Sequence, residues 1–151
     1  MKFSTRTVYG LKAVLVLAGR YGEGSLSVSQ IAKKQGISVP YLEQILNALK
    51  KKGLVKSVRG PQGGYILART PAEITLKQLF EALVAKNALF GASPASVSAD
   101  ADEATLANAL FWKKFSLSLA NGLGDTTLKA LLDEARGLKK HKSRSPYTFQ
   151  I

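Results

Sequence analysis

The chain has no cysteine, and its one histidine, His141, sits in a basic C-terminal stretch. Without thiols there is no disulfide, no thiolate to hold a metal cluster and no cysteine nucleophile. A histidine base is missing from the folded part, and no glycine-rich phosphate cradle precedes a Lys-Ser or Lys-Thr pair. The carboxylates Glu43, Glu73 and Glu81 show no acid–base pairing, so an enzyme is not expected. Long apolar runs are missing too. The longest, Ala13 to Gly19, is far short of the roughly 20 residues a membrane span needs. Met1-Lys2-Phe3-Ser4 lacks the layout of a signal peptide. A cytoplasmic protein without membrane contact is expected, with enough apolar residues for one modest core and an extra interaction element.

Negative charge is scarce as well, and its scarcity is local. Residues 1–70 carry 12 Lys/Arg against 2 Asp/Glu, residues 71–137 carry 6 against 8, and residues 138–151 carry 4 against none. The basic field therefore belongs to particular surfaces. A polyanion is the natural partner, because neutralising phosphates releases counterions.

Apolar spacing predicts a helix over residues 5–21, with Val8, Leu11, Leu15 and Ala18 as its stripe and Val14, Val16 and Leu17 widening it. Gly22-Glu23-Gly24 ends it. Ser27-Val28-Ser29-Gln30 has the form of a capping box opening a short helix with Val28, Ile31 and Ala32 inward, which Gly36 stops. Ser38 is expected to cap the next helix, with Pro40 tolerated in its first turn and Leu42, Ile45, Leu46 and Leu49 on its core face. Two helices joined by a short glycine turn make a helix-turn-helix candidate. Leu54–Val58 and Tyr65–Ala68 read as strands around the tight loop Arg59-Gly60-Pro61-Gln62-Gly63-Gly64, which together form a wing.

Further on, Thr75-Leu76-Lys77 and Thr127-Leu128-Lys129 look like two similar helix starts, the first helix running to about Val84 and the second to about Arg136. Residues 91–101, rich in Ala, Ser and Asp, read as a flexible loop. The longest helical pattern runs from Asp102 to about Asn121 with two apolar stripes: Leu106, Leu110 and Leu117, and Phe111, Phe115 and Leu119 beside Trp112. One stripe can serve the chain's own core, and the other calls for the paired helix of a twin subunit. Leu106, Leu110, Phe111, Phe115 and Leu119 are the dimerisation candidates.

Base contacts should come from the N-terminal part of the second tandem helix, which enters the major groove in such motifs. Val39, Tyr41, Glu43, Gln44 and Asn47 are nominated there. Gln44 or Asn47 suits adenine, and Glu43 suits a cytosine amino group. Ser38, Lys50, Lys51, Lys56 and Arg59 are placed for phosphates or the wing, with Gly60 and Gly63 shaping the loop. Arg59, at the wing base, is set to enter a minor groove.

Tyr41-Leu42-Glu43-Gln44, Gly53-Leu54-Val55 and Val58-Arg59-Gly60-Pro61-Gln62-Gly63-Gly64-Tyr65 resemble the Rrf2 family of bacterial regulators, as does the opening Phe3-Ser4 to Tyr9-Gly10-Leu11. The resemblance covers residues 1–84 well and the dimerisation region more loosely. It implies a winged-helix domain, a long dimerisation helix and a partly palindromic operator. It also maps Tyr41, Glu43 and Gln44 onto recognition-helix positions and Arg59 onto the wing arginine.

Many relatives hold an iron–sulfur cluster through three cysteines in the loop before the long helix, with a further ligand. Here the loop reads Phe90-Gly91-Ala92-Ser93-Pro94-Ala95-Ser96, and a loose alignment places Thr105 at the last cysteine and Asn108 where some relatives carry histidine. With no thiolate, no cluster or other cofactor is expected. Either this member never used a cluster, or its cysteines have been replaced.

The expected fold is mainly α with a small β-wing, organised as a winged helix-turn-helix at 1–70, a connecting helix and loop at 71–101, dimerisation helices at 102–137 and a basic mobile tail at 138–151. The expected function is a sequence-specific DNA-binding transcriptional repressor acting as a homodimer on double-stranded DNA, with an unknown effector. The rivals are a sequence-nonspecific basic nucleic-acid binder and a regulator controlled through a protein partner.

Overall fold

The computed structural model describes residues 4–84 and 102–142, the side chains of residues 141 and 142 excepted. The expected loop at 91–101 and the tail beyond 142 lie outside the described residues. In chain order the elements are α1 (Thr5–Gly19), α2 (Val28–Gln35), α3 (Val39–Lys51), β1 (Val55–Val58), β2 (Gly64–Leu67), α4 (Leu76–Leu83), α5 (Glu103–Asp125) and α6 (Leu128–Lys142). The architecture is mainly helical with a small antiparallel ribbon.

Helix α1 starts where Ser4 accepts a hydrogen bond from the Thr7 amide at 3.3 Å. Its buried face is not the one the bulky residues suggest. Thr7, Gly10, Ala13, Val14, Leu17 and Ala18 are buried, whereas Val8 is 41% exposed and Leu11 and Leu15 are half-buried. The reason is Gly10, where a Cβ would collide with the side chain of Leu83 on α4. Small residues let two helices approach closely, and a periodicity that weighs only bulk misses that face.

The tandem α2–α3 forms as its caps dictate. Ser27 and Gln30 make the reciprocal capping box at 2.9 and 3.1 Å, and Gly36 ends α2 in the left-handed region at φ 64°. Ser38 stands at the N-cap of α3 but makes no side-chain cap bond. Pro40 is the second helical residue and has no N–H, which removes one of the amides a capping serine uses. Leu42, Ile45, Leu46 and Leu49 are fully buried. At about 1.5–3 kcal/mol for each such side chain, this face anchors the helix whatever its cap does.

The ribbon pairs Val55 with Leu67, Lys56 with Ile66, Ser57 with Tyr65 and Val58 with Gly64. A third segment joins it: Leu26, just before α2, exchanges hydrogen bonds with Tyr65 across the outer edge of β2 (3.1 and 2.8 Å). The core runs on past the wing, since Ile74, Leu79, Leu83 and Leu128 are buried with α1 and α3 residues.

The two threonine-started segments meet. Thr75 and Thr127 form an antiparallel bridge, with the Leu76 amide on the Thr126 carbonyl (2.9 Å) and the Leu128 amide on the Ile74 carbonyl (3.0 Å). Each threonine caps its own helix, Thr75 accepting from Gln78 and Thr127 from Ala130. Helix α6 then continues to Lys142, beyond the expected end near Arg136 and through the first residues of the expected mobile tail. An i,i+4 ion pair of Lys129 with Asp133, which Arg136 also contacts, supports its first three turns.

Helix α5 departs most from expectation. It runs from an Asp102 cap to Asp125, and none of its residues is buried. Leu106, Leu110, Phe111 and Leu117 are 37–56% exposed, and Phe115 and Leu119 are half-buried. The chain's own core therefore takes neither stripe whole; among the described elements, α4 is the main one packed against this helix.

Candidate nucleic-acid interface

With Leu42, Ile45, Leu46 and Leu49 turned inward, the opposite face of α3 presents Val39, Glu43, Gln44, Asn47, Lys50 and Lys51, all exposed. This face holds an amide acceptor–donor pair at Gln44 and Asn47, one carboxylate at Glu43 and a cationic end. It is the donor and acceptor repertoire that reads base edges. Tyr41 is set apart from it. Its ring is half-buried against the core and lies edge-on to Tyr9, with centroids 6.1 Å apart and planes at 79°. Lys12 sits over the other ring, 5.8 Å from the Tyr9 centroid.

The wing stands beside this helix and is tied to it. The Lys50 ammonium donates to the Ser57 hydroxyl at 2.7 Å, linking the last turn of α3 to β1. At the tip, Arg59 is exposed, Gly60 takes φ 115°, and the Gly63 amide closes the turn on the Gly60 carbonyl at 2.9 Å. The Ser25 hydroxyl donates to the Gln62 carbonyl, so the loop is also held from the segment before α2. Lys56 follows a different course. Neighbours along a strand point to opposite faces, and while Ser57 meets Lys50, Lys56 borders a cavity shared with Arg20.

Among the described residues, Lys33, Lys34, Lys51, Lys52, Lys56 and Arg59 form no ion pair. Their charge is left to a partner. A surface that gathers uncompensated cations around a polar helix face and a glycine tip is built for the backbone and edges of a duplex.

Known proteins with this arrangement agree. The family model for Rrf2, described as an iron-dependent transcriptional regulator, matches residues 3–134. The chain is 35% identical over 151 residues to the HTH-type transcriptional regulator CymR of Bacillus subtilis, covering the whole of both chains. To the IscR regulator of Cereibacter sphaeroides it is 35% identical over 135 residues, 87% of each chain. The solved structure of B. subtilis CymR, titled the global cysteine regulator, superposes with a TM-score of 0.72 at 34% identity, covering 89% of this chain and 98% of that one. That of T. potens IscR gives a TM-score of 0.72 at 39% identity, covering 89% and 88%.

The chain belongs to the Rrf2 family. It is a DNA-binding transcriptional regulator with a winged helix-turn-helix, as the motifs on α3 and the wing indicate.

The family's iron dependence meets a different donor set in this Rrf2 regulator. The sequence has no cysteine, and among the described residues no three His, Cys, Asp or Glu side chains gather to hold a metal ion. Thr105, the position expected from sequence at the last cluster cysteine, donates its hydroxyl to Asp102 at 2.6 Å and helps to start α5. A thiolate-held iron–sulfur cluster does not fit these residues.

Sequence reasoning missed Ser25, Leu26 and Ser57. Ser25 and Leu26 act through partners distant in sequence, 37 and 39 residues away, and no local pattern encodes such a pairing. Lys50 and Ser57 are seven residues apart, but only the ribbon's register turns Ser57 toward α3.

Proposed function

We propose that the chain represses transcription in the cytoplasm by occupying a partly palindromic operator as a homodimer. The observation that carries this is the pairing of an open polar face on α3 with an open apolar face on α5. Two copies joined along α5 would present two recognition helices to successive major-groove faces, about 34–36 Å apart. In this reading Gln44, Glu43 and Asn47 contact base edges, with Val39 against a thymine methyl. Ser38, Lys50 and Lys51 meet phosphates, Lys56 is left out because it borders the cavity with Arg20, and Arg59 with Gly60 and Gly63 enters the minor groove. The winged unit at 1–70 reads DNA, and 102–137 joins the copies.

Selection of bound duplexes from a random pool at moderate salt tests this. A two-fold related motif is the expected result, and its absence despite tight salt-sensitive binding would replace the reading with nonspecific binding. Against the selected site, Gln44→Ala should cost about 1–3 kcal/mol and relax one position. Lys51→Ala should weaken every sequence alike and flatten the salt dependence. Equal losses on operator and random DNA for Gln44→Ala would remove its role in base reading.

A further inference from the structure

A cavity of about 360 Å3 lies between the end of α1, the Leu26 segment and the wing. Leu17, Leu26 and Leu67, all buried in the core, form its floor, and Ile66 and Ala68 extend it along β2. Tyr21 contributes an aromatic wall that is half exposed. Arg20 from the end of α1 and Lys56 from β1 stand in the lining, which contains no aspartate or glutamate. Gly22 and Gly24 also line it at φ 86° and 94°, where the left-handed turn favours glycine and so leaves no side chain across the mouth.

We propose that this cavity is a ligand site for a small organic anion: one carboxylate on an apolar ring or short branched body. The volume falls within the range of about 300–1,000 Å3 that small-molecule sites occupy, and an apolar floor with a few convergent polar groups is their usual form. Among the described residues Lys56 has no ion-pair partner and Arg20 is paired with Glu23 only through its Nε, so the site keeps a net positive charge, which sets the charge of the ligand. Arg20 sets its geometry. Its Nε is held by Glu23 at 3.0 Å, which orients the guanidinium and leaves its terminal nitrogens to grip a carboxylate side by side. The apolar body would lie on Leu17, Leu26 and Ile66 against the Tyr21 ring.

The site also reaches the DNA-reading elements. Leu26 in its floor pairs with Tyr65, and the adjoining Ser25 holds the wing tip through Gln62. An anion bridging Arg20 and Lys56 would join α1 to β1 and bias the wing's position relative to α3. This second step rests on the operator-binding reading, whereas the ligand site itself does not.

Titration of the full chain without DNA tests the site, with phenylacetate, its neutral isostere phenylacetamide and inorganic phosphate as probes. Phenylacetate is expected to saturate and to shift the backbone amide resonances of Tyr21, Gly22, Gly24, Ile66 and Ala68. Phenylacetamide should bind about tenfold more weakly, because it forfeits the charge-assisted pair. Arg20→Ala, an exposed change at the end of α1, should weaken phenylacetate about as much while leaving the thermal midpoint unchanged. No saturable phenylacetate binding, equal affinity for the amide, or shifts mapping elsewhere would each overturn the site. Phosphate displacing phenylacetate at equal affinity would reduce it to a plain charge patch and overturn it likewise. A separate titration of selected operator DNA then tests the coupling: altered affinity at saturating phenylacetate supports it, and unchanged affinity removes it.

Discussion

At Gly64 the ribbon has no room for a side chain, and Gly64→Ala makes that testable. A Cβ there would fall inside the van der Waals envelope of the Leu26 carbonyl and the Ser27 nitrogen, all backbone atoms that cannot turn aside as a side-chain end can. The Leu26 segment must therefore move off β2. That breaks the Leu26 amide bond to the Tyr65 carbonyl (3.1 Å) and the Tyr65 amide bond to the Leu26 carbonyl (2.8 Å). At about 0.5–1.5 kcal/mol net for each hydrogen bond, the direct loss is roughly 1–3 kcal/mol. Dragging Leu26, only 3% exposed, out of register with the core adds an overpacking cost of about 1–3 kcal/mol. Unfolding free energy should drop by about 2–6 kcal/mol, a large share of the roughly 5–15 kcal/mol a domain holds. Urea denaturation followed by far-UV circular dichroism measures this, and amide exchange at Tyr65 locates it. Gly19→Ala is the control, because a Cβ there meets nothing and an alanine in the last turn of α1 should be neutral or stabilising by up to about 1 kcal/mol. An unchanged denaturation midpoint for Gly64→Ala, with Tyr65 still protected, would refute the claim that the Leu26 bridge holds the wing.

Leu110→Asp combined with Phe111→Asp places two charges on the open face of α5, and should convert the protein to a monomer in light scattering at micromolar concentration without lowering its helix content; a persistent dimer would move the interface elsewhere. Leu79→Ala empties a fully buried position on α4, and should cost about 2–5 kcal/mol in denaturant unfolding; a cost below that range would mean the core around α4 collapses to fill the space. Acid should loosen the start of α5. The Thr105 hydroxyl and the Thr105 amide both donate to Asp102 and hold its carboxyl below the ordinary 3.8. The stabilisation from this cap is thus complete above the unfolded value of 3.8 and disappears as pH falls through the lower folded value. Helicity followed from pH 5 downward should fall less steeply in Asp102→Asn, and identical profiles would show that the cap carries no proton linkage.

Local chemistry explains why so much of the reading head was legible in the chain. The Ser27–Gln30 box, the glycine stop at Gly36 and the 42-45-46-49 spacing act between residues within two turns of one another, so the sequence order is also the spatial order. The same holds for the exposed face carrying Glu43, Gln44 and Asn47, which is what remains once the core face is assigned. At Ser38 even the local rule gave way: the serine stands at the N-cap without a side-chain cap bond, although the Tyr41 amide remains available to it.

What required the folded chain is whatever depends on approach between distant segments. Bulk pointed to Val8 as a core residue of α1, yet packing chose the flatter face around Gly10, since α4 could come close only there. The two similar threonine starts were visible as a repetition, but their bridge, which ties the chain just after α5 to the start of α4, exists only in three dimensions. Composition and periodicity established the helices, the ribbon, the basic field and the lack of thiolates, because those follow from residue type and local spacing. Tertiary structure decided which face of α1 is buried, that Leu26 braces the wing, that Arg20 and Lys56 border one cavity, and that α5 keeps its apolar stripes open. Those outcomes depend on which backbones can approach, and steric fit between remote residues leaves no periodic mark in the sequence.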